Sequence, residues 1–252
     1  MRSHPNNRVQ FQLASDQSLL IYFGLQGKLS SSEAEGINSA SPPKNQITIE
    51  AHEYVCKLLR LIQLDPIPGV RNLHPAYSSL LIKFDPLKLR HEALEEVLSG
   101  RLERLERVKL PEPRLVEIPV SYGGEFGPDL KGVAELREMT EKRAIELHSS
   151  ATYLVYFLGF VPGFAYLGEL PSELATPRLP TPRRSVPAGS VGIAGSQTGV
   201  YPISTPGGWR LLGRTPLAMF RPGRAEMSLL SIGDRVQFAP ISREQFAKLE
   251  NA

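Results

Sequence analysis

The chain reads as an α+β module followed by a mainly-β domain whose strands close, or nearly close, into a barrel. Three observations predict this. Residues 9–106 mix short strand-like runs with two stretches of helical spacing. A Pro111-Glu112-Pro113 segment then interrupts the chain as a linker. Beyond it, short apolar runs recur between Gly and Pro turns, the punctuation of a small barrel. The expected boundaries are 1–110 for the α+β domain and 114–241 for the barrel, with a short C-terminal helix at 242–250.

Each element has its own signal. Residues 9–23 (VQFQLASDQSLLIYF) predict two strands around a polar turn at 15–18. Residues 24–46 are rich in Ser, Gly and Pro and predict a loop, Ser-rich at 30–42. From 48 to 64, Ile49, Ala51, Tyr54, Val55, Leu58, Leu59 and Ile62 fall on one helical face. Thr48 is the expected cap and Asp65-Pro66 the stop. Residues 77–84 predict a strand and 87–106 a second amphipathic helix, weakened at Gly100. In the second half, 114–120 predict a strand and 122–127 a turn. Pro128 and Asp129 then open a helical region running to about His148. Strands are expected at 153–158, 190–194, 200–204, 209–213 and 235–241. Ser242 and Gln245 have capping-box spacing for the last helix.

Composition narrows the function. The 252 residues are 41% hydrophobic and 22% charged, ordinary for a globular protein. Residues 157–224 hold about half of all Gly and Pro, and between Leu174 and Ala225 lie seven arginines with no Asp, Glu or Lys. Without those seven, the 29 basic residues would be outnumbered by the 26 acidic ones, so the formal charge of +3 comes from this segment. Arginine without lysine points away from nucleic acid and toward a planar anion, because the guanidinium offers a fixed fork of donors. The single Cys56 excludes an intrachain disulfide framework and a cysteine-based zinc site, and suits a reducing compartment. The opening MRSHPNNRVQ lacks the apolar run of a signal peptide. The uncharged stretch 149–168 is broken by Gly159, Pro162 and Gly163 and is too short to span a bilayer. A cytoplasmic protein with no membrane partner is expected.

The common catalytic signatures are missing: GxxxxGK[ST], GxGxxG, CxxC and GxSxG do not occur. His52 and Cys56 stand four apart on one helix, as do His91 and Glu95. No third ligand is evident, so both pairs read as coincidental and no metal site is expected. His148 ends a helix just before an apolar strand. It reads either as a helix C-terminal histidine or as a general base or carbonyl polariser near the barrel mouth. Arg178, Arg183 and Arg184 lie in a loop stiffened by Pro177, Pro180, Pro182 and Pro187, which lowers the entropy lost on binding. Gly207-Gly208-Trp209-Arg210 brings backbone N–H groups, an indole and a guanidinium together, with Gln197 and Tyr201 as neutral hydrogen-bonding groups. It reads either as a tight turn with a core tryptophan or as a ligand wall.

Several segments, taken together, resemble the KipI/PxpB family. They are 122–130 (YGGEFGPDL), 147–149 (LHS), 159–168 (GFVPGFAYLG), 177–178 and 182–183 (PR), 186–191 (VPAGSV), 201–202 (YP), 206–209 (PGGW) and 213–216 (GRTP). These motifs run densely and in order through 114–240, whereas the first half matches in layout and in pieces such as 75–80 (PAYSSL). Members of the family are known as the B subunit of 5-oxoprolinase, and the related domain is called allophanate hydrolase subunit 1, a carboxyltransferase domain. The resemblance implies a cyclophilin-like barrel after the α+β domain. It also implies one of three subunits that open 5-oxoproline to glutamate with ATP and its magnesium, the others being a C subunit and an A subunit. Arg178, Arg183, Gln197, Tyr201, Gly207, Gly208, Trp209 and Arg214 are the expected substrate or nucleotide contacts, with His148 the candidate catalytic group. Two other readings follow from the same family. One is a protein inhibitor of a sensor histidine kinase, which requires an exposed apolar patch around Phe160, Phe164 and Tyr166. The other is a carboxyltransferase half, as in urea carboxylase.

Overall fold

The computed structural model describes residues 2–3, 9–24, 48–224 and 226–251. The loop expected at 24–46, with its Ser-rich part, lies almost wholly outside them. The chain divides into two compact units, Met1–Glu112 and Pro113–Ala252.

The first unit is one antiparallel sheet with helices. Its strands are β1 (Arg2–Ser3), β2 (Val9–Ser15), β3 (Ser18–Phe23), β4 (Val70–Pro75) and β5 (Ser79–Phe84), in spatial order β1-β2-β3-β5-β4. Strand β3 alternates as a half-covered strand should, burying Leu19, Ile21 and Phe23. These side chains, with Leu80, Ile82 and Phe84 of β5, form a core with Val55, Leu58 and Ile62 of α1 (Ile49–Leu64) and Leu94 and Leu98 of α2 (His91–Leu102). Thr48 caps α1 by accepting from the Ala51 N–H at 3.1 Å. Two expectations change. Ile49 belongs to the apolar pattern but sits in the first turn, exposed. Helix α2 starts at His91, not at 87, because Asp85 holds the preceding residues in a turn. Its carboxylate accepts from Leu87 N and its carbonyl from Lys88 and Leu89. Strand β4, VRNLHP, shows too little apolar alternation to be seen in the sequence.

The second unit is a closed seven-stranded barrel in the order β10-β11-β8-β7-β14-β6-β13, with β13 pairing β10 to complete the ring. The strands are β6 (Leu115–Tyr122), β7 (Thr152–Leu158), β8 (Ala165–Gly168), β10 (Ser190–Ala194), β11 (Gln197–Val200), β13 (Arg210–Arg214) and β14 (Arg235–Pro240). All pair antiparallel except β6 with β14. Two further strands, β9 (Arg183–Val186) and β12 (Thr205–Gly207), pair outside the ring. Ile118, Val120, Val155, Leu167, Val191, Ile193, Val200, Leu212, Val236 and Phe238 form the core, joined by Leu130 and Val133 of α3 (Leu130–Leu136) and Ala144 of α4 (Glu141–Ser150). The single helical region expected after Asp129 is thus two helices. Glu138 breaks it with a positive φ of 51°, and Thr140 caps α4 through the Arg143 N–H. The expected strand at 200–204 is also corrected. β11 ends at Val200, and Pro202, which cannot donate to a ladder, separates it from β12. The capping box on α5 (Arg243–Glu250) is formed as the spacing predicts.

Candidate functional site

A polar tie is buried in the barrel core. His148, in the last turn of α4, is 0% exposed. Its Nδ1 lies 2.7 Å from the Tyr122 hydroxyl of β6, and its Nε2 lies 2.8 Å from Thr198 Oγ1 of β11. Thr198 has one hydroxyl proton and donates it to the Gly192 carbonyl at 3.1 Å. It therefore accepts from His148, whose neutral ring carries its proton on Nε2, and Tyr122 donates to Nδ1. β6 and β11 lie three strands apart around the seven-stranded ring, so this imidazole links opposite walls of the barrel. Its ring stacks on Phe238 at 4.5 Å, and its carbonyl accepts from the Tyr153 hydroxyl. Burial pushes the His148 pKa down to about 3 and the Tyr153 pKa upward. His148 is thus closed off from solvent in this structure.

A second cluster gathers the motifs singled out in the sequence. Phe164, Tyr201, Trp209, Val186, Ala194 and Leu211 form an apolar nest, with Tyr166 and Val161 against it. The Phe164 ring meets Tyr166, Tyr201 and Trp209 edge to face, at centroid distances of 5.0, 5.4 and 5.5 Å. Gly207 is required here. A Cβ at that position would run into the Tyr201 ring and hydroxyl. Burial raises the Tyr201 pKa, opposed by the Trp209 backbone N–H and by the charges of Arg178 and Arg183. Gly208 lies against Pro182, and its carbonyl accepts from Leu179 N, tying the proline loop to the nest.

The seven arginines of the acid-free stretch divide by role. Arg183 donates from Nη2 to Asp129 Oδ1 at 2.7 Å and from Nη1 to the Trp209 carbonyl at 3.4 Å. The other oxygen of Asp129 accepts from Leu211 N at 2.7 Å. Asp129 thus joins the start of α3 to β9 and β13. Arg210 donates to the Pro177 carbonyl and Arg214 to the Ala188 carbonyl. Arg214 also lies over the Phe126 ring, at the end of β13 away from the nest. Arg178, Arg184, Arg221 and Arg224 are exposed, and none makes a side-chain hydrogen bond or ion pair among the described residues. The structure therefore brings Arg178, Arg183, Tyr201, Gly207, Gly208 and Trp209 together, while Gln197 is half-buried on β11. The Asp129 partner was missed because nothing local marks a pairing across 54 positions. The apolar patch required of a kinase-binding surface is narrower than expected. Phe160 is 60% exposed, at a left-handed φ of 69°, but Phe164 is buried in the nest. Of the helical pairs, Cys56 contacts His52 at 3.3 Å, and burial pushes its thiol up to about 11.

A closed barrel bearing this aromatic and arginine cluster defines a class. The family described as carboxyltransferase domain, subdomain C and D, matches residues 10–230. Within that class, the chain belongs to the family of 5-oxoprolinase B subunits. It is 41% identical over 250 residues to the 5-oxoprolinase B subunit of Bacillus subtilis (strain 168), covering 95% of each chain. It is 47% identical over 199 residues to the 5-oxoprolinase B subunit of Escherichia coli O157:H7, covering 77% of this chain and 88% of that one. Among solved structures it is similar to TTHA0988, with 38% identity, a TM-score of 0.70 and 79% of this chain covered. This chain spans only 38% of that one. The urea carboxylase of Kluyveromyces lactis, 17% identical with a TM-score of 0.69, shares the fold. No helix among the described residues is long and apolar enough to cross a membrane.

Proposed function

We propose that this chain is the B subunit of an ATP-dependent 5-oxoprolinase, which opens 5-oxo-L-proline to L-glutamate with A and C subunits and is inactive alone. The observation that carries this reading is 41–47% identity, over most of the chain, to proteins named as the B subunit of 5-oxoprolinase. An unactivated lactam is a poor electrophile at neutral pH. Phosphorylating its oxygen with ATP would activate the ring carbon toward water. The C–N bond would then break with the nitrogen taking up a proton, and a second water would release phosphate from the resulting carboxyl phosphate. The charge developing in these steps needs fixed cationic donors. Arg178, on its proline-stiffened loop beside Tyr201 and Trp209, fits the substrate carboxylate or a transferring phosphoryl group. Arg183 positions that loop through Asp129. His148 holds the cyclophilin-like barrel together from inside. Magnesium would arrive with the nucleotide or on a partner's ligands, since no group of three His, Cys, Asp or Glu side chains able to hold an ion lies among the described residues.

The reading is tested by glutamate release from 5-oxoproline and ATP, with this chain added to or omitted from candidate A and C subunits. Activity that requires the chain supports it. Turnover by the purified chain alone would remove the composite site, and no activity in any combination would remove the oxoprolinase reading.

A further inference from the structure

The remaining exposed arginines point to a site of their own. Residues 218–224 and 226–229 pair as the two arms of a hairpin. Arg221 N donates to the Met227 carbonyl at 2.7 Å, Leu229 N donates to the Met219 carbonyl at 2.9 Å, and Phe220 bridges Ser228. Gly223, with φ of 83°, supplies the left-handed turn between the two arms. Met219 is buried, and a Cβ on Gly163 would collide with Phe220, so the base of this hairpin is held against the barrel. One side of it forms an open cleft of about 550 Å³, lined by Arg114, Arg221, Arg224, Glu226, Met227 and Leu229 among others. The charges in it are unequal. Arg114 is engaged by Asp234, donating from Nε to Oδ1 at 3.0 Å and from Nη2 to Oδ2 at 2.6 Å. Among the described residues, Glu226 pairs with Arg114 at 3.9 Å. The Arg221 and Arg224 side chains are exposed and make no ion pair among the described residues, and the Arg221 backbone is paired into place by its bond to Met227.

We propose that this cleft binds the phosphate groups of a small polyphosphate ligand, with Arg221 and Arg224 as its forked donors. Guanidinium groups bind phosphate oxygens in pairs. The cleft volume falls within the range of small-molecule sites, and Met227 and Leu229 give an apolar edge to whatever the phosphates carry. Two sources have this chemistry: a nucleotide and free inorganic polyphosphate.

The test is calorimetric titration of the isolated chain, without 5-oxoproline or partner subunits, so its failure leaves the oxoprolinase reading untouched. The probes are ATP and tripolyphosphate. Saturable binding of at least one is expected, weakened roughly tenfold or more in the double variant R221A/R224A. Arg184→Ala, on another loop, should leave the affinity unchanged. Tighter binding of ATP identifies a nucleotide, and tighter binding of tripolyphosphate identifies the free polyanion. Both side chains are exposed, so the double variant should melt as the wild type does. Should it not fold, Arg221→Ala and Arg224→Ala singly give the same reading at several-fold each. The assignment is overturned by absent binding, by binding that survives these changes, or by an equal loss in Arg184→Ala.

Discussion

Acidification should unfold this protein partly through His148. Burial holds its pKa at about 3, against an ordinary 6.5. A depressed histidine favours the neutral, folded form only while the unfolded chain is also neutral. As pH falls below 6.5 the unfolded state takes up the proton and the folded state does not, so stability is lost down to about pH 3. Above 6.5 the group contributes no pH dependence. Linkage at 1.36 kcal/mol per unit gives a loss of about 2.5 kcal/mol between pH 7 and pH 4.5. That is a large part of the roughly 5–15 kcal/mol typical of a domain. Carboxylates also protonate in this window, so the comparison is with His148→Gln, whose amide can keep partners at Tyr122 and Thr198 but does not titrate. Urea unfolding at both pH values should show the wild type losing about 2.5 kcal/mol more than the variant. Equal losses, or a His148 resonance titrating near pH 6.5 in the folded protein, would refute the neutral cross-barrel tie.

Four variants probe the second cluster. Asp129→Ala strands the Arg183 guanidinium and the Leu211 N–H and should cost about 3 kcal/mol in urea unfolding; a loss under 1 kcal/mol would mean water replaces the carboxylate. Gly207→Ala should cost about 1–3 kcal/mol by overpacking against Tyr201, and less in a Tyr201→Phe background; identical costs in both backgrounds would acquit the hydroxyl. In the assembled oxoprolinase assay, Arg178→Ala should lower turnover with an unchanged melting temperature. Arg183→Ala should lower both. If Arg178→Ala retains full turnover, the proline loop does not hold substrate.

Local signals were legible in the sequence wherever they were complete within a few residues. The Thr48 cap and the Ser242–Gln245 capping box formed as their spacing requires. Signals settled by distant partners were not. Strand β4 is defined by its pairing with β5 rather than by its own pattern, and β9 is a strand because β12 lies beside it. His148 offered two roles from its neighbours, and its partners at positions 122 and 198 gave it a third. Arginine density marked the right stretch for attention. Only the structure separates Arg183, Arg210 and Arg214, which tie loops together, from the exposed arginines.

The parallel seam between β6 and β14 carries a consequence for biogenesis. Leu115 pairs with Arg235 and Val120 with Pro240, so the first strand of the barrel waits for the last. Arg114 and Asp234 clasp the same seam from its end. While the chain emerges from a ribosome, β6 leaves the exit tunnel with an open edge and no partner on that side until some 120 residues later. Such non-local closure slows folding and leaves an adhesive strand exposed to other chains. Nascent chains stalled before residue 235 should therefore depend on chaperone cover, and full protease resistance should arrive in one late step.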